Sequence, residues 1–166
     1  MRAKAKAKAK SRSKTKAKAK SKVKVQAKAK IQTKSKAQPK SSRESDFTAA
    51  ARRLEAILMK YQRGDLKGRH DPWLGGVCLI GPANEASKGR EVWFGAVGER
   101  KNYVSYHLMP VYAFPDLLKK VSPELKARMQ GKSCFNFKEV DEKLFAELAR
   151  LTEEGYKRFK AEKLVR

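Results

Sequence analysis

Acidic residues are missing from the first 43 positions. No Asp or Glu precedes Glu44, yet the same stretch holds 18 of the chain's 41 Lys and Arg residues. Residues 44–166 hold the other 23 bases and all 17 acids, a balance of +6 against +24 for the whole 166-residue chain. The sequence therefore joins two polymers: a cationic tail over 1–43 and a mixed-charge segment of about 120 residues, enough for one core. Cysteine is also scarce. Cys78 and Cys134 are too few for a disulfide framework, and each sits in an apolar run where a free thiol packs as a small hydrophobe. Long apolar runs are absent: none approaches the ~20 residues of a membrane span, and no secretory apolar segment follows the basic start. A reducing cytoplasm is the expected location, with nucleoid association as a variant. An organelle presequence would suit the charge, but Lys–Ala alternation gives a helix no amphipathic face.

The tail repeats Ala-Lys through residues 3–10 and returns to it at 16–20 and 27–30. Charge at every second residue surrounds a helix on all sides and lines one face of a strand with like charges. Neither element gains enough apolar burial to offset the entropy of ordering the chain, so disorder is the expectation. Pro39 and Ser41-Ser42 close the tail as a linker. One reading is a solubility tail without further function. The stronger one is a polyanion binder. Eighteen cations on ~140 Å of extended chain track a nucleic-acid backbone and release its counterions. Lys4, Lys6, Lys8, Lys10, Lys14, Lys16, Lys18 and Lys20 are the expected phosphate contacts, to DNA or RNA without sequence preference. Few aromatics are interleaved, so base stacking on the tail is not expected. In composition the tail resembles the Lys/Ala-rich extensions of linker-histone-like proteins.

The rest is organised around residues 91–109. Two apolar, β-branched and aromatic runs flank Glu99-Arg100-Lys101-Asn102, the pattern of a β-hairpin. Alternation puts Val92, Phe94 and Ala96 on one face and Trp93 and Val97 on the other. Val104, Tyr106 and Leu108 oppose Tyr103, Ser105 and His107. Before the hairpin, Ser45 or Asp46 is read as the cap of a helix to about Tyr61, with an apolar stripe from Phe47 through Leu54 and Leu58. Residues 62–74 read as a polar loop with an Asp71-Pro72 turn, and Val77–Ile80 as a short buried strand. After it come a short helix opened by Pro115, a second capped by Ser122 with Pro123 at its first position and Met129 on its apolar face beside Leu125, and a stop at Gly131. A strand over 133–137 follows, with Phe135 and Phe137 inward. A final helix capped by Asp141 carries Leu144, Phe145, Leu148, Leu151, Tyr156 and Phe159. The expected fold is α+β: two layers, an antiparallel sheet of about four strands covered by helices.

No catalytic set emerges. Gly131-Lys132-Ser133 suggests a phosphate loop, but Lys126 stands where that motif needs its first glycine, and the order here is helix then strand. His107, Cys78 and Cys134 would form a metal site only if their strands adjoin, and none has zinc-motif spacing. Glu139, Asp141 and Glu142 are carboxylates that a hard cation accepts, although Asp141 has a capping role. What remains is a polar group, Arg100, Lys101, Asn102, Ser105 and His107, which together with Lys132 would rim a sheet face left uncovered by helices and bind a small anion or a partner.

Val92-Trp93-Phe94-Gly95-Ala96-Val97 with Lys101-Asn102-Tyr103-Val104-Ser105-Tyr106 resembles the core hairpin of YdhG-like proteins, a domain-of-unknown-function family. Gly131-Lys132-Ser133-Cys134-Phe135-Asn136-Phe137 is similar to that family's later strand, and residues 141–160 to its terminal helix. The resemblance spans about 45–160 and implies a small α+β domain with an antiparallel sheet. Some members are described as frataxin-like iron chaperones, so it also implies iron as an alternative ligand. The residues themselves call for no cofactor. They point to a non-enzymatic domain tethered to a polyanion, with an iron-handling or small-ligand protein as the alternative.

Overall fold

A computed structural model describes residues 40–166, with side chains from Asp46 onward. The tail lysines named above lie outside the described residues. The element order is α1 (Lys40–Met59), β1 (Lys67–Asp71), β2 (Gly76–Gly81), β3 (Val92–Glu99), β4 (Val104–Leu108), α2 (Met109–Ala113), a 3₁₀ helix (Pro115–Lys120), α3 (Pro123–Lys126), β5 (Met129–Gln130), β6 (Cys134–Phe137) and α4 (Glu142–Ala161). The fold is α+β with one antiparallel sheet of six strands, ordered β1-β2-β3-β4-β6-β5.

The expected count of about four strands is therefore too low, and both extra strands are at edges. β1 falls where a polar loop was expected. It is Lys-Gly-Arg-His-Asp, exposed along nearly its whole length, because an edge strand paired on one side needs no apolar alternation. Its charged side chains also discourage pairing with another chain. β5 has only two residues. It takes Met129 out of the expected helix, which ends at Lys126. Gly131, at φ +72°, turns β5 into β6 instead of ending a helix. At the other end, α1 starts at Lys40, so Ser45 and Asp46 lie inside it and do not cap it.

One face of the sheet carries the core. Leu54 and Leu58 of α1 and Leu148 of α4 are fully buried against Phe94, Tyr106, Leu108, Phe135 and Phe137. Asp141 caps α4, its Oδ1 accepting from the Leu144 N–H at 3.1 Å. Ser122 likewise caps α3, accepting from Leu125 N–H at 3.2 Å. Both fit the general preference of short polar side chains for the orphan N–H groups of a first turn. Phe94 stands edge-on to Tyr156 and Phe159, with ring centroids 5.9 and 5.8 Å apart. Among the described residues, no helix is long and apolar enough to cross a membrane.

The faces of β3 depart from simple alternation. Leu79 pairs with Gly95 but Ile80 pairs with Trp93, so Phe94 is an extra residue, a β-bulge. Val92 and Phe94 face the helices, as does Gly95, where an added Cβ would come within 2.8 Å of Leu58 Cδ1 and 2.9 Å of the His107 carbonyl. Beyond the bulge the faces swap. Val97 joins the main core, while Ala96 joins Cys78 and Ile80 in a small cluster on the opposite face. The expected pairing of Ala96 with Phe94, and of Val97 with Trp93, is thereby reversed.

Candidate ligand surface

The helices and the main core occupy one side of the sheet, so the other side is an outer face whose residues can be read from the strand register. One row runs Arg69, Cys78, Ala96, His107, Cys134, Gln130 across all six strands. A second runs Asp71, Gly76, Gly98, Ser105, Asn136. A third, towards one end, holds Lys67, Ile80 and Trp93.

This face is trimmed by the β1–β2 turn. Asp71 Oδ1 accepts from the N–H groups of Trp73 (2.9 Å) and Leu74 (3.2 Å), the Asx-turn habit of a short carboxylate. The turn then folds over the second row. A Cβ on Gly98 would lie 2.2 Å from the Leu74 carbonyl oxygen, so only glycine admits that backbone. Leu74 packs on the cluster of Cys78, Ile80 and Ala96. From the β3–β4 turn, Arg100 Nη1 donates to the Trp73 carbonyl at 3.0 Å and fixes the two turns together.

Ser105 and His107 share this face, as expected from their alternation in β4. Ser105 is buried and donates to the Gly98 carbonyl at 3.1 Å, so its hydroxyl is committed to the sheet. Lys101 and Asn102 stand exposed in the β3–β4 turn. Lys132 stands in the β5–β6 turn, with Nζ 5.6 Å from the Tyr112 ring centre. Val104 pairs with Phe137 and His107 with Cys134, so Lys132 is at the opposite end of β4 from Lys101 and Asn102. The structure brings Ser105 and His107 together and leaves the three exposed residues at two separate ends.

His107 Nε2 and Cys134 Sγ are 3.3 Å apart. Burial, aided by the Arg100 charge, lowers the His107 pKa. Burial raises that of Cys134, with Arg100 pulling the other way. The pair is therefore a neutral imidazole beside a neutral thiol, the reverse of the thiolate–imidazolium needed for nucleophilic attack. Asn136 Oδ1 lies 3.8 Å from Cys134 Sγ. Cys78 belongs to the same row but is two strands from His107, about 10 Å at ordinary strand spacing, and its thiol donates to the Arg69 carbonyl at 3.3 Å. Among the described residues no group of three or more His, Cys, Asp or Glu side chains is gathered as for a metal ion. Asp141 is spent on its cap, and Glu142 Oε2 pairs with Arg53 Nη2 at 2.5 Å. Gly131-Lys132-Ser133 forms the β5–β6 turn.

Sequence reasoning passed over Trp73, Trp93 and Arg69. Trp73 is 92% exposed and Trp93 36% exposed. A Trp just after Asp71-Pro72 in a polar stretch was the available signal, since no apolar pattern there offers it a core position. No family model matches the sequence, and neither a curated protein nor a solved structure is significantly similar to it.

Proposed function

We propose that this chain is a non-enzymatic binding protein in which the Lys/Ala-rich residues 1–43 hold the α+β domain on nucleic acid or another polyanion, in the cytoplasm or at a nucleoid. The observation that carries the proposal is the charge segregation: 18 cations precede the first acid of the chain. Such a segment gains affinity by counterion release and has no means of reading sequence. The neutral His107–Cys134 pair supports a binding role over a nucleophilic one. The domain then supplies whatever selectivity the complex has, which also suits the YdhG-like resemblance of residues 45–160. The test is fluorescence anisotropy with duplex DNA and RNA, comparing the full chain with a full-length variant in which Lys4, Lys6, Lys8, Lys10, Lys14, Lys16, Lys18 and Lys20 are all Gln. The variant is expected to bind both polymers far more weakly. Undiminished binding would sink the proposal. Stabilisation of both proteins by iron(II) but by neither duplex, in a thermal melt, would replace it with iron handling.

A further inference from the structure

We infer that residues 2–40 meet a nucleic-acid backbone as one extended strand, with every cation on the same side. The inference rests on the proposed function for the class of partner, and adds the form in which the arm binds it. Charge alone does not account for the order of these residues. From Arg2 to Lys40 every even-numbered position is Lys, Arg or Gln, and every odd-numbered one is Ala, Ser, Thr, Val, Ile or Pro. The 20 even positions hold 17 cations together with Gln26, Gln32 and Gln38. The phase survives each departure from Ala-Lys. Arg12 and the three Gln keep to one parity, and Thr15, Val23, Val25, Ile31 and Thr33 keep to the other. A segment that needed only charge would place lysines at both. The alternation ends at Lys40, the residue at which α1 starts, and Ser41, Ser42 and Arg43 no longer follow it.

Among the regular backbones, only the extended strand turns this period into a surface. A step of two residues turns about 200° around an α-helix and about 240° around a polyproline II helix, so both spread the cations on all sides. A strand sends successive side chains to opposite faces. There the cations line one face at intervals of about 6.5–7 Å. The five β-branched residues, all at odd positions, line the other and favour extended backbone. Without a partner, like charges at that spacing oppose the strand. A row of phosphates reverses the sign of this interaction, so ordering of the arm is coupled to binding. The in-phase Gln residues keep N–H donors in the row that meets the phosphates. Extended, the 39 residues from Arg2 to Lys40 reach about 130 Å. About 40 base pairs of duplex match that length at about 3.4 Å each.

The test changes the phase and nothing else. In a full-length variant, six lysines exchange places with the residue that follows: Lys4→Ala with Ala5→Lys, Lys8→Ala with Ala9→Lys, Lys14→Thr with Thr15→Lys, Lys18→Ala with Ala19→Lys, Lys22→Val with Val23→Lys, and Lys28→Ala with Ala29→Lys. Composition, length and net charge stay the same, while six cations move to the opposite face. Both chains would be titrated against a duplex of about 40 base pairs at several salt concentrations, with fluorescence anisotropy as the readout. The variant is expected to bind roughly 10-fold or more weakly, and its slope of log association constant against log salt to be shallower by as much as about 5. Infrared difference spectra of the unaltered chain, with and without the duplex, are expected to show a gain of extended-strand amide signal. Equal slopes and affinities for the two chains, or a gain of helical signal on binding, would overturn the inference while leaving the tail proposal standing. Failure of the unaltered chain to bind the duplex would overturn both.

Discussion

The buried pair Tyr106–Thr152 makes a prediction whose sign depends on which hydroxyl is the donor. Both side chains are fully buried, one on β4 and one on α4, with their oxygens 2.9 Å apart. Thr152 Oγ1 is also 2.7 Å from the Leu148 carbonyl, to which it donates its only proton. Tyr106 must therefore donate to Thr152, and burial, which raises its pKa, keeps the phenol protonated. Tyr106→Phe deletes a donor and leaves Thr152 still bonded to Leu148, at a cost of about 0.5–1.5 kcal/mol. Thr152→Val, of nearly the same shape, deletes the acceptor and strands a buried phenolic O–H, at about 1–3 kcal/mol. The double variant strands nothing, so it should be more stable than Thr152→Val alone. The assay is urea denaturation followed by circular dichroism on all four proteins, as a double-mutant cycle. For a domain this size each kcal/mol also moves the melting temperature by roughly 3–6 °C. The reasoning is refuted if the two single costs simply add, within about 0.5 kcal/mol, or if Tyr106→Phe proves the more damaging change.

Two further predictions concern the sheet. Gly95→Ala should destabilise by about 1–3 kcal/mol, because the new methyl meets Leu58 Cδ1 at 2.8 Å and the His107 carbonyl at 2.9 Å, and a backbone oxygen yields little; a shifted urea midpoint checks it. His107 has its pKa held below the usual 6.5 by burial and by Arg100. The unfolded chain then binds that proton more readily than the folded one, so stability should fall as pH drops below about 6.5 and return above it. His107→Gln should flatten that dependence in urea midpoints measured between about pH 7 and 5.

The sequence was most legible where burial on one side imposed a period. β4 alternates Val104, Tyr106, Leu108 toward the helices with polar Ser105 and His107 between them, and α4 presents Leu144 through Phe159 at helical spacing because it has one wet side and one dry side. Caps were legible for the same local reason, as at Ser122 and Asp141. The misses have physical causes. β1 has no dry side to report itself, and β5 is too short to carry a period. The bulge at Phe94 left no local mark except Gly95, yet it reassigned Ala96 and Val97 to opposite faces. α2, at Met109–Ala113, follows β4 without a break and received no element from the sequence, because five residues are too few to show a helical period. Ser105 and His107 could be placed together from alternation alone, but the neighbours that decide their chemistry, Cys134 and Arg100, come from strand order and turn packing. The exposure of Trp73 is likewise a property of how one turn folds back on the sheet.

The central claim, that the cationic tail is the nucleic-acid arm, is tested most directly by the salt dependence of binding. The logarithm of the association constant for a duplex falls against the logarithm of salt with a slope of about −0.9 for each phosphate neutralised. If the eight lysines from Lys4 to Lys20 are arm contacts, changing them to Gln in the full chain should make the slope shallower by as much as about 7 while leaving the thermal unfolding of the domain unchanged. An unaltered slope would contradict the account and place the polyanion contacts on the folded domain.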